Sequence, residues 1–169
     1  MPIRPTPAAA LAAGLAALAA AAAAEVEGPP PPTEAAARVV AAYEARCAEA
    51  EAGALIVAPE AYAPADLDGD GAADDLVMDM AHAACAWNGT LWAGTGGAPV
   101  HLIVGDAEAS WWGGGWQLVD FDPPAEDGPP PLRVLLLAQH GSACDSFGAA
   151  PCVRAVAWGG DGFVTLGAP

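Results

Sequence analysis

Beyond Gly53 the chain never runs far without a glycine, a proline or an aspartate, and that punctuation constrains the fold more than any other feature. The apolar runs between these breakers are Leu76–Met80, Pro99–Val104, Trp116–Phe121, Leu132–Ala138, Val153–Trp158 and Phe163–Leu166. Each has the length of a strand, and none reaches the roughly 12–15 residues at which a helix begins to hold itself. Trp158-Gly-Gly-Asp-Gly-Phe163 reads as a closing hairpin turn. Asp122-Pro-Pro-Ala-Glu-Asp-Gly-Pro-Pro-Pro131 reads as a surface connection, because proline cannot serve a central strand.

Before Gly53 the pattern is different. Thr33 has the chemistry of an N-cap, and Glu34 places a carboxylate in the first turn, where the helix dipole favours it. The alanine-rich stretch 34–52 is helical in character, with Ala36, Val40, Tyr43, Cys47 and Ala50 forming one apolar stripe. Gly53 is a suitable stop. One helix followed by short strands predicts an α+β fold, with the N-terminal helix packed on a mainly antiparallel sheet of about six strands.

The N-terminus reads as a secretory signal. Arg4 precedes an uninterrupted run of Ala, Leu and one Gly from Ala8 to Ala24, and Ala22 and Ala24 form an A-x-A site before Glu25. The run is shorter than the roughly 20 residues of a membrane span and is mostly alanine, which favours cleavage over anchoring. The predicted organisation is a signal peptide at 1–24, a Pro-rich linker at 25–32 and a single domain at 33–169. No later segment is long and apolar enough to span a bilayer, and the mature chain is expected in the periplasm or secreted.

The net charge is −16, and the five basic residues are all arginine. Such a surface repels nucleic acid and anionic membranes, whose binding requires basic footprints. It suits cations or a basic partner protein. The four cysteines, Cys47, Cys85, Cys144 and Cys152, make an even count, which in an exported chain reads as two disulfides. Three connectivities are open. Cys144 and Cys152 flank a short segment of small residues and can form a local staple, which leaves Cys47 with Cys85.

The chemically specific motif is Asp66-Leu-Asp-Gly-Asp-Gly-Ala-Ala-Asp74. Asp66, Asp68, Asp70 and Asp74 stand at positions 1, 3, 5 and 9 of an EF-hand-type loop, with Gly71 at the sharp turn and the Ala72 carbonyl at position 7. Hard cations take six to eight oxygens, so the loop points to Ca2+, in the weak extracellular class of about 0.1–1 mM. Position 12, where an EF-hand has a bidentate Glu, is Val77, and the strict motif fails there. Asp75 or Asp79 can supply further oxygens; the alternative is a solvated Asp/Gly turn without an ion.

The loop, followed by Leu76-Val77, resembles the D-x-N-G-D-G-x-x-D loop of FG-GAP/VCBS-type repeats, in which the loop leads into a strand. One copy cannot build their propeller. The chain is more similar to a group of small exported proteobacterial proteins that carry the loop once. That resemblance rests on the loop, on Trp92 to Val104, on Gln139-His-Gly-Ser-Ala-Cys144 and on Pro151-Cys-Val-Arg-Ala-Val-Ala-Trp158. Ala93 and Ala98 stand where the group has two cysteines, which implies a third disulfide lost as a pair. No activity attaches to the group, so the resemblance implies a calcium loop and export but no reaction.

Other chemistry is thinner. His140, Ser142 and Asp145 gather the groups of a nucleophilic site, yet no G-x-S-x-G elbow is present, and Cys144 has a nearer explanation as a disulfide partner. His82 and His101 are isolated and read as hydrogen-bonded residues rather than metal ligands. Asn88-Gly-Thr90 matches a glycosylation sequon by coincidence. Trp111 and Trp112 sit beside three glycines: exposed, they stack on sugar rings or grip a partner; buried, they fill a core. The reading is a non-enzymatic exported domain with a structural calcium loop. The second is a periplasmic binding or inhibitor module recognising an envelope protein or glycan through acidic and Trp-rich loops, and a small hydrolase comes third.

Overall fold

The structure, a computed structural model, describes residues 29, 31–121, 132–150 and 152–166. The signal peptide at 1–24, most of the linker at 25–32 and the Pro-rich connection at 122–131 lie outside the described residues.

Helix α1 (Glu34–Glu49) begins as expected, with Thr33 Oγ1 accepting a hydrogen bond from the Ala36 N–H at 3.1 Å. It ends earlier than the predicted 52. Glu51 turns into the left-handed region at φ 51°, and the N–H groups of Glu51 and Ala52 bond back to the Ala48 and Cys47 carbonyls. Those bonds satisfy orphan carbonyls at the helix end before Gly53 is reached. The buried face is Ala35, Ala36, Val39, Tyr43 and Cys47. Val39 rather than Val40 is the buried valine, and Ala50 is exposed beyond the helix.

The strands are β1 (Leu55–Val57), β2 (Tyr62–Ala65), β3 (Asp75–Asp79), β4 (Ala83–Cys85), β5 (Ala98–Val104), β6 (Ala107–Gly113), β7 (Gly115–Phe121), β8 (Leu132–Gln139), β9 (Cys152–Trp158) and β10 (Phe163–Leu166). A single sheet of six therefore gives way, among the described residues, to ten strands in three antiparallel sheets. The central sheet has the order β2-β3-β5-β6, the outer sheet is the meander β7-β8-β9-β10, and β1 and β4 form a two-stranded ribbon. The six predicted runs appear as β3, β5, β7, β8, β9 and β10. Three of the four additional strands are only three or four residues long, too short for alternation to show. In β6 the apolar positions are alanines until Trp111, which weakens the signal.

The central sheet is covered on both faces. Leu76, Met78 and Ile103 pack with α1 and the ribbon, whereas Val77, Val100 and Leu102 pack with Leu135, Leu137 and Val156 of the outer sheet. Alternate residues of one strand thus serve two cores. Strand β5 is buried along almost its whole length, which explains its nearly unbroken apolar run. β2 forms one rim of this sheet and contains Pro64.

Both expected disulfides form. Cys47–Cys85 ties α1 to β4, and Cys144–Cys152 ties the 3-10 turn after β8 to the start of β9. The chain passes from the central to the outer sheet between β6 and β7. There a Cβ on Gly113 would collide with Leu137, and the Gly114 N–H donates to the Ala138 carbonyl at 2.7 Å.

Candidate metal centre

The aspartate loop is the connection between β2 and β3, whose pairing closes on Ala65 opposite Asp75. Its fold follows from side chains competing for backbone N–H groups, the ordinary behaviour of aspartate in turns. Asp66 reaches forward: Oδ1 accepts from Gly69 N–H at 2.7 Å and Oδ2 from Gly71 N–H at 2.9 Å. Asp75 reaches back: its Oδ2 accepts from Leu67 N–H at 2.8 Å and Asp68 N–H at 3.2 Å. Between them, Asp68 Oδ1 accepts from Asp70 N–H and Asp70 Oδ1 from Ala72 N–H. Gly69 and Gly71 take φ values of 80° and 94°, which side-chain-bearing residues rarely adopt.

Asp66, Asp68 and Asp75 each bring a carboxylate oxygen into a group whose members lie within 4.8 Å of one another. Asp66 and Asp75 are buried, and Asp68 is exposed. Asp70, Ala72 and Asp74 stand exposed outside this group of three. Asp79 is turned to other work, with Oδ1 capping the Ala81 N–H and Oδ2 accepting from the Trp116 indole. Burial pushes the Asp75 carboxyl above its ordinary range, and the neighbouring Asp68 and Asp74 charges add to the rise. The N–H bonds from Leu67 and Asp68 oppose it.

One partner has no signature in the sequence. Arg133 on β8 places Nη1 2.8 Å from Asp66 Oδ2 and 3.1 Å from the Asp66 carbonyl oxygen, while its Nε lies 3.1 Å from Asp120 Oδ1. The Nε contact is an ion pair without hydrogen-bond geometry. The guanidinium thus supplies one resident positive charge to a loop of five aspartates. Within the group of three, and among the described residues, the second oxygens of Asp68 and Asp75 accept from no protein donor, whereas both Asp66 oxygens already do.

The remaining candidates separate clearly. His140 Nδ1 is 2.7 Å from Ser142 Oγ, but Asp145, exposed, is bonded to neither, so among the described residues no acid orients the imidazole. His101 is buried, with Nε2 3.1 Å from the Tyr43 hydroxyl and Nδ1 2.6 Å from Glu108 Oε1, a link between α1, β5 and β6. His82 is exposed. Trp111 and Trp112 lie in a strand, not in a loose turn. Trp111 packs into the core between the sheets, edge-on to Phe163, whereas Trp112 is 46 % exposed.

All four cysteines are bridged, the state of a chain that folds outside the reducing cytosol. Among the described residues, no helix is long and apolar enough to cross a membrane. Comparison with models of protein families, with curated proteins and with solved structures found no match to this chain.

Proposed function

We propose that the chain is an exported, non-enzymatic domain whose β2–β3 loop holds a structural calcium ion. The observation that carries this reading is the convergence of Asp66, Asp68 and Asp75 at the connecting end of the β2–β3 hairpin. Calcium accepts irregular oxygen cages completed by water, whereas magnesium demands a near-ideal octahedron. Asp66, Asp68 and Asp75 form the centre, and Asp70, the Ala72 carbonyl and Asp74 are the reserve of oxygens around it. Bound there, the ion offsets the burial of Asp75 and its repulsion by Asp68 and Asp74, and it fixes the register of β2 on β3. Its work is conformational.

Export rests on the signal-like N-terminus together with the paired cysteines. Titration calorimetry on the mature protein tests the ion. One calcium site with a Kd of about 0.1–1 mM is expected, with weaker magnesium binding. Asp68→Ala and Asp75→Asn should abolish the heat, and Glu49→Ala, at the exposed C-terminal end of α1, should preserve it. Absence of heat at millimolar calcium ends the reading.

A further inference from the structure

A second concave site lies where the end of β6 meets the end of β8. It is a cleft of about 400 Å³ lined by Thr95, Gly96, Trp112, Gln139, His140 and Ser142. That volume lies within the range of small-molecule sites, which pair an apolar surface with a few fixed polar groups.

The cleft is built rather than incidental. Gln139 is committed on both sides: its Nε2 donates to the Trp112 carbonyl at 2.8 Å, and its Oε1 accepts from Arg154 Nε at 2.9 Å. The backbone beneath the indole is thereby fixed. The opposite wall, carrying Ser142, is pinned to β9 through Cys144–Cys152. The floor is the tight turn Gly94–Gly97, whose end residues exchange backbone hydrogen bonds at 2.9 and 3.0 Å. Gly96 leaves the space open: a Cβ there would come within 3.5 Å of the His140 Cβ and 3.7 Å of the indole nitrogen of Trp112.

The lining chemistry selects a ligand class. In a chain of net charge −16, the residues lining this cleft include no Asp, Glu, Lys or Arg. A neutral ligand is favoured over an ion. The hydroxyls of Thr95 and Ser142 both give and take hydrogen bonds, and Ser142 Oγ is already oriented by His140 Nδ1 at 2.7 Å. An exposed indole supplies a flat, electron-rich face. A pyranose matches both, with weakly positive C–H groups on one face and hydroxyls around the edge.

We infer that this cleft binds a neutral saccharide, with one pyranose ring stacked on Trp112 and its hydroxyls held by Thr95 and Ser142. The inference does not rest on the calcium loop, which uses other residues. The test uses ¹⁵N-labelled mature protein with the methyl glycosides of glucose, mannose, galactose and N-acetylglucosamine, in EDTA and again with calcium. At least one glycoside should shift the Trp112 indole N–H and the Thr95 and Gly96 amides, with a Kd of about 1 mM, the scale for a ligand of this size. Trp112→Ala should weaken binding by about tenfold or more, and Trp112→Phe should restore part of it. Gly96→Leu, which fills the cleft from an uncrowded backbone position, should abolish binding while the rest of the spectrum stays native. Equal affinity in wild type, Trp112→Ala and Gly96→Leu overturns the inference. So does the absence of shifts with all four glycosides at about 50 mM, well above a millimolar Kd. A protein partner that depends on Trp112 while every glycoside is silent overturns it as well.

Discussion

Arg133 Nη1 lies 2.8 Å from Asp66 Oδ2, so a residue of the outer sheet holds the first aspartate of the central sheet's hairpin loop. Asp66 is almost fully buried and Arg133 largely so, which keeps solvent from screening the pair. Replacing Arg133 by Met leaves a buried carboxylate without its counter-charge. In EDTA the variant should lose about 2–3 kcal/mol in urea unfolding. If calcium occupies the loop, it should then stabilise Arg133→Met more than wild type, because a competing cation has gone. Equal calcium effects on both proteins would separate Arg133 from the ion site.

The two disulfides close loops of different size, with sequence separations of 38 and 8. The chain-entropy relation predicts that replacing Cys47 and Cys85 by alanine costs about 4 kcal/mol, and replacing Cys144 and Cys152 about 2.5 kcal/mol. Equilibrium denaturation of the two double variants measures both. The reverse order would show that the bridges act through native-state contacts rather than through the unfolded chain.

Ala93 and Ala98 flank the hydrogen-bonded pair Gly94↔Gly97, so antiparallel register sets them opposite each other at a position without backbone hydrogen bonds. Such pairs bring side chains close enough for a disulfide. Ala93→Cys/Ala98→Cys should oxidise spontaneously and add about 2 kcal/mol of stability, less any crowding against the core beside Ala98. Free thiols in the folded, oxidised variant would reject both this register and the implied ancestry of the pair.

Burial raises both tyrosines, Tyr43 and Tyr62, above their usual pKa of 10.0; for Tyr43 the nearby Arg46 opposes the rise. Among the described residues, the buried Tyr62 hydroxyl has no hydrogen-bond partner. A folded-state pKa above the unfolded one means that unfolding releases protons in this window. Stability is therefore full below pH 10 and falls as pH rises through the folded values. Absorbance at 295 nm should show phenolate appearing later in native than in urea-unfolded protein. Coincident titration curves would contradict the burial of both rings.

Legibility from the sequence tracked how locally each feature is determined. The Thr33 cap and six strands were readable because a cap needs three residues and those strands carry strong apolar runs between breakers. The end of α1 was missed because Glu51, not Gly53, takes the left-handed turn. β1, β2 and β4 were invisible because tertiary pairing, not propensity, makes them strands. In the loop, spacing identified the aspartates, but which carboxylates turn inward depends on backbone donors: Asp75 caps Leu67 and Asp68, while Asp74 is left outside. Arg133 and Gln139 carried no signal, because their partners come from strands distant in sequence. Adjacent Trp111 and Trp112 read as a pair until strand alternation sent them to different surroundings.

Pro64 stands in β2, the outermost strand on one side of the central sheet, and Pro29, Pro32 and Pro59 gather along the same cleft beside it. A strand from another copy laid along that rim would meet a residue that cannot donate, with neighbouring rings fixed in place. Edge-to-edge growth, the first step toward a fibril, is obstructed at this rim by covalent structure rather than by charge, and neither salt nor acid removes the obstruction.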